Sequence, residues 1–141
     1  MSQATRKIFR TTRTMKQTYI AGLTPSQRLL QERLIRGSQK KYEETGKVED
    51  RKTVSEGKVK RSPWVKKFEE KYGFPITDLK SVRSQFPDVD VDGILAKGRA
   101  AYMSSGSRPN VTSHQWAFAR LGSALMGGPA SKIDKKELGE G

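Results

Sequence analysis

One segment near the C-terminal end of the chain is apolar on nearly every side. Residues 113–126, SHQWAFARLGSALM, contain a single full charge at Arg120 and are followed by a Gly-Gly-Pro turn. A helix that is apolar all round must be covered by other elements. The segment is therefore predicted to be a central helix. Its small residues would let neighbouring helices approach closely: Ala117, Ala119, Gly122 and Ala124.

Three shorter segments before it have apolar residues at helical spacing and can supply these neighbours. Ser62 with Pro63 begins the first segment and Gly73 ends it. Thr77 is the predicted cap of the second segment, and Pro87 ends that segment. Strand patterns are nearly absent. Residues 63–141 are therefore predicted to form a small helical domain, a bundle of about four short helices with a short polar tail.

Charge divides the chain at about residue 62. Residues 1–62 carry 16 Lys and Arg against 6 Asp and Glu, whereas residues 63–141 carry 12 against 9. Both tryptophans also lie beyond residue 62. We therefore predict a mainly α fold with two parts. An extended basic N-terminal arm, one long helix and a linker occupy residues 1–62, and the helical bundle follows.

The first 23 residues contain five basic residues and no acidic one. This composition is typical of a mitochondrial leader as well as of a basic arm that binds a partner. The weak amphipathic face of the segment favours the arm. Its candidate binding residues are Arg6, Lys7, Arg10, Arg13 and Lys16.

A long helix is predicted to follow the arm. Thr24 and Gln27 form a capping box around Pro25, and Gly46 is a typical C-terminal stop. Its predicted apolar stripe is narrow and consists of Leu30, Leu34 and Ile35, with Leu29 and Tyr42 at its flanks. Such a helix either packs on a partner surface or remains largely solvated. Residues 47–61 lack apolar periodicity and are predicted to form an extended linker.

Few residues have a pattern typical of catalysis. The chain has no cysteine, which excludes disulfides and thiol chemistry. DVDVDG, residues 88–93, resembles the start of an EF-hand loop, but Arg99 stands where a bidentate glutamate is required. His114, the sole histidine, lies at a helix start, which disfavours its charged form. We therefore expect a protein that is not an enzyme and that needs no metal or cofactor.

The loop SSGSRPN, residues 104–110, has the composition of an anion-binding site. Serine hydroxyls, a glycine that allows unusual backbone turns and a nearby helix start could together hold a phosphate or carboxylate. The alternative is a purely structural loop. The candidate binding residues are Arg99, Ser104, Ser105, Gly106, Ser107, Arg108 and Asn110.

The run KGRAAYMSSGSRPNVTSHQWAFARLGSALMGG, from residue 97, resembles an uncharacterised protein family of large nucleocytoplasmic DNA viruses. Members of that family show a KGRGAYYSSGSRPNQT-like segment followed by a W-x-x-ARL helix. The upstream runs YIAGL and KRSPWVKKFEEKYGF are also similar, so the resemblance covers about residues 18–138. Ala100 and Val111 depart from the glycine and glutamine usual in the family. The resemblance implies a viral setting but no established activity.

Two non-enzymatic roles are compatible with these features. The first is a minor capsid protein that joins capsomers on the inner side of the shell, with capsid proteins as its partners. The second is a basic protein, packaged in the virion, that binds nucleic acid; the net charge of +13 favours it. In both cases we expect the protein in the virion, with no segment that spans a membrane.

Overall fold

The computed structural model describes residues 15–57, 59 and 61–139, and within these residues the regular secondary structure is all helical, without a strand. The prediction of a mainly α fold is therefore confirmed. The first 14 residues, including Arg6, Lys7, Arg10 and Arg13, lie outside the described residues. The helices are α1 (Gln17–Ile20), α2 (Pro25–Thr45), α3 (Pro63–Tyr72), α4 (Leu79–Gln85), α5 (Val91–Ser104), α6 (Ser113–Leu125) and α7 (Pro129–Ile133).

The chain divides into two compact units. The first unit consists of Met1–Val59 together with Met103–Val111, and the second consists of Lys60–Tyr102 together with Thr112–Gly141. The sequence predicted a division near residue 62 and placed residues 103–111 in the second part. In the structure these nine residues instead pack with the first, for reasons given below. No helix in the described residues is long and apolar enough to cross a bilayer.

Helix α2 begins and ends at the predicted residues. The Thr24 side chain accepts from the backbone N–H of Gln27, and the Gln27 side chain accepts from that of Thr24, which completes the capping box. At the other end Gly46 has φ +68°, and its N–H donates to the carbonyl of Tyr42 at 2.7 Å. This left-handed backbone conformation favours glycine, because glycine has no Cβ that would clash.

The buried face of α2 differs from the predicted stripe. Ile35 is fully buried, but Leu30 is 44% exposed and the flanking Leu29 is 58% exposed. Two polar residues, Gln31 and Glu32, are buried instead. The helix is therefore rotated about its axis relative to the prediction, because the side chain of Gln31 is hydrogen-bonded to the carbonyl of Ser107.

The second unit is built around α6, as predicted. Ala117 and Leu121 are fully buried in a core to which α3, α5 and α7 also contribute. A Cβ placed on Gly98 would lie 2.7 Å from Cα of Ala117, so α5 and α6 approach at backbone distance. Residues 63–139 contain five helices, one more than the predicted four, because α7 forms an additional turn after the Gly-Gly pair. An aromatic cluster of Phe68, Tyr72, Phe74 and Phe86 extends the core.

Helix α3 has the predicted boundaries, but the cap of α4 was predicted wrongly. The side chain of Asp78, not Thr77, accepts from the N–H of Ser81 at 3.3 Å. Threonine and aspartate are both good caps, so the sequence could not choose between adjacent candidates. The turn after Pro75 makes Asp78 the cap, because the N–H of Asp78 donates to the Pro75 carbonyl at 3.0 Å.

Ion pairs of Arg120 and Lys97 hold the C-terminal tail on the second unit. Arg120 donates to both oxygens of the fully buried Asp134, from Nε at 2.9 Å and from Nη2 at 2.7 Å. These hydrogen bonds raise the pKa of Arg120 above its ordinary value. Lys97 pairs with Glu137 at 2.5 Å, and its hydrogen bond lowers the pKa of that carboxyl. Arg120, the sole charged residue of α6, therefore stabilises the second unit.

Removing the carboxylate of Asp134 should destabilise the second unit strongly. We expect Asp134→Ala to lower the free energy of unfolding by about 3–5 kcal/mol, because Arg120 would keep a largely buried charge without its partner. Asp92→Ala is the control, since Asp92 forms an exposed pair with Arg83 and should cost less than about 1 kcal/mol. Urea denaturation at neutral pH measures both, and equal losses would contradict the assignment.

Candidate partner-binding site

The SSGSRPN loop packs with helix α2 and with the segment that follows it, all within the first unit. Helix α5 ends at Ser104, the first residue of the loop. Several polar groups of the loop that could hold an anion are hydrogen-bonded to other parts of this unit. The residues of the loop differ in which polar groups they leave free.

Ser107 is buried and bonded on both its side chain and its backbone. Only 1% of the residue is exposed. Its Oγ accepts from Nη2 of Arg51 at 2.7 Å and donates to the carbonyl of Arg108 at 3.1 Å. Its own carbonyl accepts from Nε2 of Gln31 at 3.2 Å. A buried amide side chain must find partners, and this bond accounts for the burial of Gln31 on α2.

Asn110 holds the segment after α2. Its Oδ1 accepts from the N–H of Val54 at 2.8 Å, and its Nδ2 donates to the carbonyls of Ser55 at 3.1 Å and Gly57 at 3.0 Å. The Ser55 hydroxyl lies within hydrogen-bond distance as well, 2.9 Å from Nδ2. Asn110 has φ +66°, a left-handed conformation that asparagine tolerates better than most residues. Its side chain thus replaces the backbone pairing that this segment lacks.

Gly106 lets the loop lie directly against α1 and α2. It has φ +129°, and a Cβ at this position would lie 2.9 Å from Cε2 of Tyr19 and 3.3 Å from Cδ1 of Ile35. Both conditions favour glycine: the positive φ strains other residues, and the close side chains leave no room for a Cβ. The side chains of Ser104 and Ser105 are exposed, and their carbonyls accept from Nε2 of Gln39 at 2.9 and 3.4 Å.

The basic candidates are not gathered into one site. Arg108 is exposed, and within the described part of the chain its guanidinium has no hydrogen bond or ion pair. Arg99 is partly exposed and belongs to the second unit. Lys16 is exposed, with its Nζ 5.7 Å from the ring centroid of Tyr19. The loop therefore offers a single free cation at its tip, and its buried groups serve the first unit.

A second surface lies on helix α2, and the sequence did not indicate it. We call it the outer face of α2; it consists of Leu29, Leu30, Arg33, Gly37 and Lys40, which are all exposed. Spacings of three and four residues place Leu29 and Leu30 beside Arg33, and Lys40 lies further along the same helix. The two leucines are uncovered, and neither Arg33 nor Lys40 forms an ion pair with a described residue.

Hydropathy placed Leu30 in the buried stripe because leucine is usually buried and glutamine is usually exposed. The structure reverses this order through the bond from Gln31 to Ser107, which joins residues 76 positions apart. A contact of that separation leaves no local trace in the sequence. The outer face therefore became visible only once the loop was placed.

One comparison with known proteins gives a match. A family described as a family of unknown function (DUF5824) matches residues 16–137. No curated protein and no solved structure matches the chain.

Adding a single methyl group to the loop should destabilise the first unit. Gly106→Ala should lower the free energy of unfolding by about 2–4 kcal/mol, through backbone strain and the clash with Tyr19. Gly37→Ala is the control: Gly37 has open space and a helical position, so the same methyl should stabilise by about 0.5–1 kcal/mol. Thermal and urea melts of both variants measure this, and a neutral Gly106→Ala would contradict the packing.

Proposed function

Because that match covers residues 16–137, the chain belongs to the DUF5824 family of unknown function, and we propose that it is a non-enzymatic structural component of a virus particle. In this proposal it is a minor capsid protein that joins capsomers on the inner side of the shell. The viral setting is supported by the resemblance of the segment around SSGSRPN to proteins of large DNA viruses. The proposed contact is supported by the geometry of the first unit.

The outer face of α2 is the observation that carries this proposal. Leu29 and Leu30 are 58% and 44% exposed and are consecutive residues of one helix. Single exposed leucines are common, but two of them within about one turn of Arg33, a cation that forms no ion pair with a described residue, suit a protein partner with an apolar patch and carboxylates. A helix that lays such a face into a groove is a common mode of protein recognition.

The structure of the loop supports a connecting role. Ser107 and Asn110 use their polar groups to hold α2 and the following segment. A helix fixed in this way presents its outer face with little loss of conformational entropy on binding. Arg108 adds a free guanidinium, which can hold a carboxylate through two hydrogen bonds. In this proposal the loop orients one contact and contributes another.

Two sets of substitutions test the contact. In particles purified from infected cells, we expect Leu29→Ser with Leu30→Ser to reduce the number of copies incorporated by about tenfold or more, since each buried leucine contributes about 1.5–3 kcal/mol. Val48→Ser, at another exposed apolar residue, should leave incorporation unchanged.

Arg108→Ala should reduce incorporation without changing the melting temperature, and Arg108→Lys should recover little because an ammonium lacks the planar fork. Quantitative mass spectrometry of the particles gives the copy numbers.

Binding to the genome is the second candidate, favoured by the charge of the first unit. Met1–Val59 and Met103–Val111 together carry 15 Lys and Arg against 6 Asp and Glu. In that case the protein would leave disrupted particles with the nucleic acid, and its affinity for duplex DNA would fall steeply with salt. The two serine substitutions would then have no effect. A protein that stays with the emptied shell and is lost when the leucines are replaced supports the capsid role.

A further inference from the structure

The second unit contains an open cleft that neither proposed contact uses. Its volume is about 360 Å³. Phe86, Val89, Leu125 and Leu138 form its apolar floor, and each of them is partly buried and packed against the core. Its lining also includes two exposed lysines, Lys132 and Lys135. The cleft thus combines an apolar surface with positive charge.

The carboxylates of the described part of the tail, up to residue 139, are committed to other cations. Asp134 is engaged by Arg120, and Glu137 is engaged by Lys97. Within the described residues, Lys132 and Lys135 form no ion pair. Both ammonium groups are therefore available to a ligand.

The shape of the cleft favours a peptide over a small molecule. Small-molecule pockets bury about 70–90% of their ligand, which an open cleft at the lower end of the usual volume range cannot do. A peptide needs to insert only one or two side chains, while the remainder stays in solvent. The apolar floor suits bulky side chains such as leucine or phenylalanine, and the lysines suit carboxylates beside them.

The basic N-terminal segment of a second copy is an unsuitable occupant of this cleft. The net charge is +13, and the first 23 residues contain five basic residues and no acidic one. This N-terminal segment would be repelled by Lys132 and Lys135. A partner segment with acidic and apolar residues, by contrast, gains both the apolar contact and ion pairs to the two lysines.

We propose that this cleft is a docking site for a short acidic-apolar peptide segment of another protein. The segment carries one or two bulky apolar side chains with aspartate or glutamate within a few residues. The site lies wholly within the second unit, so it stands whether or not the outer face of α2 contacts a capsid protein. It gives the protein a second partner-binding surface that is separate from the first.

Peptide selection on the full-length protein tests this proposal. A display library of random twelve-residue peptides is selected on the wild-type chain, and the enriched peptides are measured by fluorescence anisotropy. We expect sequences that pair bulky apolar with acidic residues, and we expect Lys132→Glu with Lys135→Glu to weaken their binding by at least about tenfold. Lys66→Glu with Lys80→Glu makes the same change in net charge at exposed lysines that do not line the cleft, and it should leave binding within about twofold.

A second arm changes the peptide, so that it does not depend on the folding of any variant. Replacing the apolar residues of an enriched peptide by serine, or its acidic residues by their amides, should each weaken binding to the wild-type chain by about tenfold. Enriched peptides that bind the two double-lysine variants equally would overturn the proposal. A selection that enriches no acidic-apolar sequence would overturn it as well.

Discussion

The first unit depends on how a segment without helix or strand satisfies its backbone. Residues 46–57 follow α2 with no helix or strand of their own; most of them are exposed, but Val54 is buried and its backbone N–H must find a partner. Asn110 supplies it, because its Oδ1 accepts from the N–H of Val54, while its Nδ2 donates to the carbonyls of Ser55 and Gly57. Val54 is thereby kept in the small apolar cluster that also contains Ile20 and Leu23. A distant loop thus provides the pairing that local sequence cannot.

This constraint determines which groups remain for binding. Hydrogen bonds to the loop turn the polar Gln31 inward and leave the leucines beside it in solvent. In the same way, Ser107 and Asn110 are occupied, so Arg108 is the loop side chain best placed to meet a partner. The two possibilities that the sequence left open are therefore not exclusive: the loop has a structural interior and an exposed tip. The role of that tip in binding remains our proposal.

The sequence predicted the elements whose causes are local, and it missed what depends on distant contacts. The caps of α2 are set within a few residues and are as predicted, and the apolar composition of α6 correctly indicates a helix that other elements cover. The exposed side of α2 was mispredicted because the partner of Gln31 lies 76 residues away. The predicted boundary near residue 62 likewise follows composition, whereas residues 103–111 join the first unit through hydrogen bonds that composition does not encode.

Hydrogen exchange at the Val54 amide tests the central claim most directly, namely that the loop holds the first unit through its side chains. Asn110→Gly keeps the left-handed backbone accessible but removes the amide that accepts from Val54. We predict that this variant loses protection at Val54, whereas Arg108→Ala, two residues away and exposed, keeps wild-type protection. Unchanged protection of Val54 in Asn110→Gly, or an equal loss in Arg108→Ala, would contradict the account.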